Sequence, residues 1–160
     1  MNTPVSEPCK ENGFLIQHAA MLQNSLFRLT GGHLGGASQP LDAEALYRAP
    51  FVVLSHDTQP DPVFNYGNLC AQRLFEMSWE DLTRLPSRLS AELPNREERS
   101  RLLQEVSERG YISHYEGIRI SKTGRRFMVR GATVWNLFTG SGAAGGQAAT
   151  FQRWEPLPPA

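Results

Sequence analysis

The sequence is poor in cysteine, in net charge and in long apolar runs, and each lack closes a class of function. Its 2 cysteines are Cys9, in a polar N-terminal segment, and Cys70, on a predicted helix. No disulfide framework is expected, and a reducing, cytoplasmic setting fits best. Lys plus Arg number 16 and Asp plus Glu 16, a formal net charge of zero, which argues against a polycationic nucleic-acid binder and against a disordered polyanion. No run approaches the ~18 apolar residues of a membrane span, and no basic segment leads into an apolar secretory core. The 4 histidines, His18, His33, His56 and His114, fall in separate predicted elements without HxxxH, HxH or CxxC spacing, so no metal site is readable. No Ser/His/Asp order is persuasive in a chain this short.

What remains is an ordinary globule of 160 residues, 40% apolar, with the length of one domain. It is organised around Phe64 to Trp79. An apolar strand (Val63, Phe64, Tyr66) breaks at Gly67. Asn68 then stands where a helix cap belongs, ahead of Leu69, Leu74 and Phe75. Met77-Ser78-Trp79-Glu80-Asp81-Leu82 reads as a second helix start, with Ser78 as cap, two acids in the first turn and Leu82 stapled to Met77, which directs Trp79 into the core.

Residues 1–13 read as a disordered tail. From Phe14 to Leu34 the spacing of Leu15, His18, Ala19, Leu22, Ser25, Leu26 and Leu29 predicts an amphipathic helix, closed by a glycine-rich hinge that ends at Gly36. Ile16, Met21 and Phe27 widen its apolar arc beyond one packing surface, so Phe14, Leu15, Ala19, Leu22, Leu26 and Leu29 are expected to form a homodimer interface. Residues 41–155 hold the main domain. A brief helix at Leu41 to Tyr47 stops before the strand Phe51 to Leu54, and a polar, proline-punctuated turn leads back into Phe64. Asn95 and Glu98 resemble a capping box for a helix carrying Leu102, Leu103 and Val106. Tyr111 to Ser121 and Phe127 to Phe138 alternate with period two about the turn Lys122-Thr123-Gly124, with Phe127, Val129, Trp135 and Leu137 on one face. Gln147 to Trp154 gives the last strand, and residues 156–160 a tail.

That element order, and the residues Phe64-Asn65-Tyr66-Gly67-Asn68, Ser78 to Leu82 and Lys122-Thr123-Gly124, resemble a PAS domain. More narrowly, Leu46-Tyr47-Arg48-Ala49-Pro50-Phe51-Val52-Val53-Leu54-Ser55-His56 and Gly131-Ala132-Thr133-Val134-Trp135-Asn136 resemble the MEKHLA family, PAS-related domains found as small bacterial proteins and at the C-terminus of plant homeodomain leucine-zipper transcription factors. The resemblance implies an α+β fold, with a five-stranded antiparallel sheet and helices packed on one face, preceded by the amphipathic helix. It also implies sensing or control of dimerisation rather than catalysis. Some PAS relatives bond a flavin through a cysteine, but in a different sequence context from Asn68-Leu69-Cys70-Ala71, so Cys70 reads as a small buried hydrophobe.

A sensor needs a cavity with convergent polar groups. The expected ligand residues are Tyr66, Leu74, Leu103, His114, Glu116 and Trp135, with Gly131, Ala132 and Thr133 leaving room at the centre of the longest strand. His114 and Glu116 reach the cavity if their strand is regular; a bulge at Gly117 would turn them to solvent. No ligand or cofactor is identified by the residues. The alternative is a pure protein-protein interaction module with Phe75, Trp79 and Trp135 filling that volume, and a small-molecule enzyme on the curved sheet is the third reading. Gly140-Ser141-Gly142-Ala143-Ala144-Gly145 spells a dinucleotide fingerprint but lacks the following helix and the acid ~20 residues on, so it reads as a turn. Arg119, Lys122, Arg125, Arg126 and Arg130 read as a solvated basic hairpin.

Overall fold

The computed structural model describes residues 5–159. The chain builds a twisted antiparallel sheet in the spatial order β2-β1-β5-β4-β3, from β1 (Val52–His56), β2 (Phe64–Gly67), β3 (Tyr111–Ile120), β4 (Arg126–Phe138) and β5 (Ala144–Phe151). A sixth strand, β6 (Arg153–Pro156), continues β5 along the same edge of β4: Thr133 lies opposite Thr150 and Arg130 opposite Arg153. The last strand expected at Gln147 to Trp154 is therefore longer and interrupted at Gln152. Its register places Gln147 opposite both Asn136 and His56.

Helices cover both faces. On the inner face lie α3 (Leu69–Phe75) and α5 (Leu93–Arg109), on the outer face α1 (Ile16–Thr30) and α2 (Ala43–Tyr47), and α4 (Trp79–Leu82) sits at the β2 edge with Leu82 in the inner cluster and Trp79 in the outer one. The Asn95–Glu98 box does not form, because α5 begins earlier, with Pro94 in its first turn, and Glu98 is engaged elsewhere. Pro in the first turn suits a helix start, since its missing N–H would have no intrahelical partner there.

The outer face corrects the expected interface. Ala19, Leu22 and Leu26 are buried against the chain's own sheet, and Phe14, Leu15 and Leu29 pack around them. Trp135 Nε1 donates to the Leu22 carbonyl at 3.1 Å, and Phe138 N donates to Ser25 Oγ at 2.9 Å. The apolar stripe thus packs on the chain's own sheet. The wide arc has other outlets: Phe27 stacks on His33 at 5.1 Å, while Ile16 is left 64% exposed. Nor is the glycine segment a loose hinge. Leu34 is fully buried, and a Cβ on Gly35 would lie 2.5 Å from the Phe51 ring, so the turn is packed in place.

Residues 5–13, part of the expected disordered tail, are tied down by long-range hydrogen bonds; residues 1–4 of that tail lie outside the described residues, as does Ala160 of the C-terminal tail. Trp79, buried as its position demanded, donates from Nε1 to the Val5 carbonyl at 2.8 Å, and Tyr47 donates from its hydroxyl to Glu7 at 2.7 Å.

Asn68 is fully buried and joins three elements. Its Oδ1 accepts from Ala71 N and Val53 N, each at 3.1 Å, and its Nδ2 donates to the Leu46 and Phe51 carbonyls at 3.2 and 2.8 Å. We expect Asn68→Asp, although an equally good helix cap, to destabilise the fold by about 2–4 kcal/mol in urea denaturation, as Asn68→Ala does. The carboxylate cannot donate and would face two carbonyls. A loss below ~0.5 kcal/mol for Asp would mean that only the cap matters.

Candidate functional site

The inner face is incompletely filled. Between α5 and the sheet lies a cavity of about 70 Å³, whose apolar wall includes Leu54, Phe75, Leu102, Ala132, Val134 and Phe151. Its polar wall comes from Arg99 on α5, His56 on β1, and Tyr115 and Arg119 on β3. Ala132 and Ala149, small residues on the two central strands, leave the space that larger side chains would close.

Two bulges decide which side chains face it. In β3 the pairing slips between Ile112 and Tyr115, where His114 has φ +60°. In β4 it slips back opposite Tyr115 and Gly117, where Gly131 has φ +62°. Each inserts one residue, and one residue reverses the alternation of a strand. Phe127 and Val129 consequently belong to the inner cluster with Ala132, whereas Trp135 and Leu137 belong to the outer one. Gly131 supplies the left-handed conformation without strain; His114 adopts it with a side chain, at a cost that the paired bulge sustains.

The expected ligand residues separate accordingly. Leu103 lines the cavity. Leu74 packs at the edge of the inner cluster but does not line the space. Trp135 and Tyr66 are corrected to the outer face. Tyr66 stacks on His18 at 5.3 Å and meets Trp79 edge to face at 5.7 Å, its hydroxyl buried without a partner. His114 and Glu116 are exposed or at the surface, since the bulge lies at His114 itself and not at Gly117. Glu116 pairs with Arg130, and His114 borders an open groove of about 520 Å³ with His33, Gly131 and Arg153. Arg130 in that groove is already engaged by Glu116 and, at 3.2 Å, by Glu155. Gly131 opens onto the groove, so only Ala132 of the expected small residues contributes room inside.

The residues that sequence reasoning missed are charged. Arg99 is 8% exposed and makes no hydrogen bond or ion pair among the described residues. Burial pulls its guanidinium down to about 10, with the nearby Arg119 adding to the effect. Arg119 is better compensated: it donates to Tyr115 Oη at 3.2 Å and to the Ile118 carbonyl at 2.8 Å, and Tyr115 in turn donates to the Glu98 carboxylate at 2.9 Å. Burial raises the Tyr115 hydroxyl pKa. His56 is buried with Nδ1 against the Asp57 carbonyl at 3.0 Å, and its Nε2, near the Gln147 side chain, makes no hydrogen bond of good geometry among the described residues. Burial lowers its pKa, so Nδ1 carries the proton and Nε2 offers a lone pair. A signal for Arg99 was present: it stands three, four and seven residues before Leu102, Leu103 and Val106, on the apolar stripe of α5.

The remaining motifs take their bland readings. Thr139 to Ala143 form the β4–β5 turn, with Thr139 N donating to the Ala143 carbonyl at 2.8 Å. In the basic hairpin, Lys122 pairs with Asp81 at 2.7 Å and Arg125 with Glu76 at 3.5 Å. Cys70 is half-buried with its thiol pKa raised by burial, and it does not line the cavity.

The family model described as MEKHLA domain matches residues 16–156. No curated protein matches the sequence. Among solved structures, the PAS domain of a protein from Colwellia psychrerythraea is similar at 15% identity and TM-score 0.57, over 72% of this chain and 92% of that one. An RNA-binding light-oxygen-voltage receptor is similar at 16% identity and TM-score 0.58, over 67% of this chain and 30% of that one. A light-oxygen-voltage domain studied with a flavin analogue is similar at 15% identity and TM-score 0.56, over 72% and 84%. At these identities the likeness establishes the PAS fold.

A half-buried and a buried histidine set a pH dependence. His18, held to Ser55 Oγ at 2.9 Å, has its pKa lowered to about 4 by burial, and His56 is lowered by the same cause. Below about 6.5 the unfolded chain binds protons that these native rings refuse, so their contribution is complete above that pH and is lost as pH falls towards 4. Between pH 7.5 and 5.0 His18 alone should account for about 2 kcal/mol of lost stability. Urea denaturation of His18→Gln should show a correspondingly shallower pH slope; equal slopes in wild type and variant would refute the assignment.

Proposed function

The chain belongs to the MEKHLA family, whose model spans nearly all of it, and from that premise we propose that it is a non-catalytic sensory domain that takes a small molecule in the cavity under α5. The carrying observation is Arg99, a buried cation with no hydrogen-bond or ion-pair partner among the described residues, on the wall of a largely apolar space. Ligand sites combine apolar walls with a few polar groups that fix orientation, and perturbed ionisable groups gather there. Catalysis finds less support: Ser55, bonded to His18 at 2.9 Å, donates its proton to Asn65 Oδ1 at 2.6 Å and so accepts from the histidine, and Ser90, at the cavity edge, donates to the Ser87 carbonyl.

The residues do not fit a flavin. A cavity of about 70 Å³ is far below the ~300–1,000 Å³ of sites for drug-sized ligands, and no cysteine lines it. Nucleic acid is no part of the reading either, because the cations of the basic hairpin are engaged by Asp81, Glu76, Glu116 and Glu155. No described helix is long and apolar enough to cross a membrane.

Occupancy has a route to the surface through α5. The C-terminal half of that helix is fastened to the sheet by uncharged hydrogen bonds: Gln147 Nε2 donates to the Leu103 carbonyl at 3.2 Å and Asn136 Nδ2 to the Val106 carbonyl at 3.0 Å. Its N-terminal half is held by ionic groups, Glu92 on Arg126 and Glu98 on Tyr115, beside Arg99. A molecule bound at Arg99 acts on the half that is held by adjustable contacts.

Hydrogen exchange with and without compounds from a fragment library checks this. A binder should slow exchange in residues 93–102 more than in 103–109. Ala132→Val, which adds two carbons at the cavity wall, should abolish the effect at a stability cost of about 1–3 kcal/mol or less. Binders that ignore Ala132→Val, or a library without any binder, would count against sensing at this site.

A further inference from the structure

The charge balance of the cavity specifies its occupant more closely. This step rests on the sensory reading above. Arg119, Tyr115 and Glu98 form a chain through one phenol hydroxyl, which accepts from the positive Arg119 and donates to the negative Glu98. Arg99 is left over. It carries one full charge, is 8% exposed, and has no carboxylate within ion-pair distance among the described residues. A guanidinium taken out of water without a partner costs several kcal/mol, and a protein relieves that cost by neutralising the group or by pairing it. Even at the lowered pKa of about 10, Arg99 remains protonated at neutral pH. Its nitrogens keep only a narrow contact with water, so pairing with a carboxylate from outside the chain relieves what remains of that cost.

We propose that the cavity binds a short-chain monocarboxylate, its anionic head on Arg99 and its aliphatic tail against Leu54, Leu102, Ala132 and Val134. The head follows from geometry: the planar fork of an arginine matches the two oxygens of a carboxylate. One uncompensated cation calls for one negative charge, so a doubly charged phosphate leaves an excess. The tail follows from the wall, which is mostly apolar, with His56, Ser90, Tyr115, Arg119 and Gln147 among its polar exceptions. The size follows from volume. An apolar cavity of ~150 Å³ admits the six carbons of benzene, and this one, at about 70 Å³, suits a tail of about two or three carbons whose carboxylate lies at Arg99 on the wall. The lone pair on His56 Nε2 adds a second selectivity: it accepts a hydrogen bond, so a hydroxyl on the tail has a partner there.

Isothermal titration of the full chain with acetate, propionate, butyrate and hexanoate, beside propionamide and inorganic phosphate, tests the assignment. Propionate or butyrate should bind best, at least tenfold more tightly than propionamide, with hexanoate and phosphate weaker. Arg99→Met keeps the length of the stem and removes the charge. It should lose at least tenfold in propionate affinity while binding propionamide as before, and circular dichroism should report an unchanged fold. In spectra of ¹⁵N-labelled protein, the Arg99 Nε resonance should shift on adding propionate and not on adding propionamide.

Equal binding of propionate and propionamide, or propionate binding unaltered by Arg99→Met, would overturn the carboxylate assignment. If those neutral probes still bound in a manner sensitive to Ala132→Val, the sensory reading would stand without it. Phosphate binding as tightly as butyrate, with no dependence on tail length, would also overturn it in favour of a plain anion site. Absence of binding by every probe, charged or neutral, would remove both.

Discussion

The structure depends on one side-chain amide. Asn68 uses both amide protons and its carbonyl oxygen, and its backbone N–H and carbonyl are bonded as well, to the Val53 carbonyl at 3.1 Å and from Gln72 N at 3.0 Å. A buried network with every member satisfied rigidifies what it joins, because any alternative arrangement leaves polar groups stranded at low dielectric. What Asn68 joins is the end of α2, the start of β1 and the first turn of α3. Fixing Val53 fixes the phase of β1: Val52 and Leu54 enter the inner cluster, with His56 on the cavity wall, and Val53 enters the outer cluster. A slip by one residue would exchange the two sets. The side chain at the corner therefore decides which residues the cavity receives.

The same rule governs β3 and β4, where it is used in the opposite sense. Here the phase changes within each strand, at His114 and at Gly131, and the two insertions compensate so that pairing resumes beyond them. The result brings Tyr115 and Arg119 to the cavity and sends Trp135 to the other side, where its indole N–H reaches the Leu22 carbonyl. Strict alternation would have placed Trp135 under α5, in the volume that is open.

This accounts for what was legible in the sequence. Elements announced by local chemistry were readable: the Asn68 and Ser78 caps, the Lys122-Thr123-Gly124 turn, the burial of Trp79, and the strand order that follows from family resemblance. Features fixed by tertiary pairing were not. A bulge is a slip between two strands, and the only local hint of it in β4 was a glycine where the strand needed none. The destination of the α1 stripe was hidden for the same reason, since a wide apolar arc does not say whether the surface it meets belongs to its own sheet. Arg99 was legible in principle and passed over, because an arginine on an apolar helical stripe is ordinarily taken as a long side chain whose head snorkels to water. Here the residue is 8% exposed, so the head keeps only a narrow contact with water.

The two faces of the sheet have consequently divided their work. The outer face is closed by aromatic and aliphatic packing, with Tyr47, Tyr66 and Trp79 edge to face at 5.7 to 6.4 Å and α1 bonded to the sheet through Trp135. Packing of that density tolerates little change in volume and supplies stability. The inner face gives up some of that stability: small residues leave a void, and a guanidinium is buried without a counter-ion. Each concession alone is unfavourable, the first through lost contacts and the second through lost solvation. In the proposed reading they are the two halves of a binding site, since a molecule that fills the void can also neutralise the charge. The closed outer face makes this arrangement sustainable, because the fold does not rely on the inner face being full.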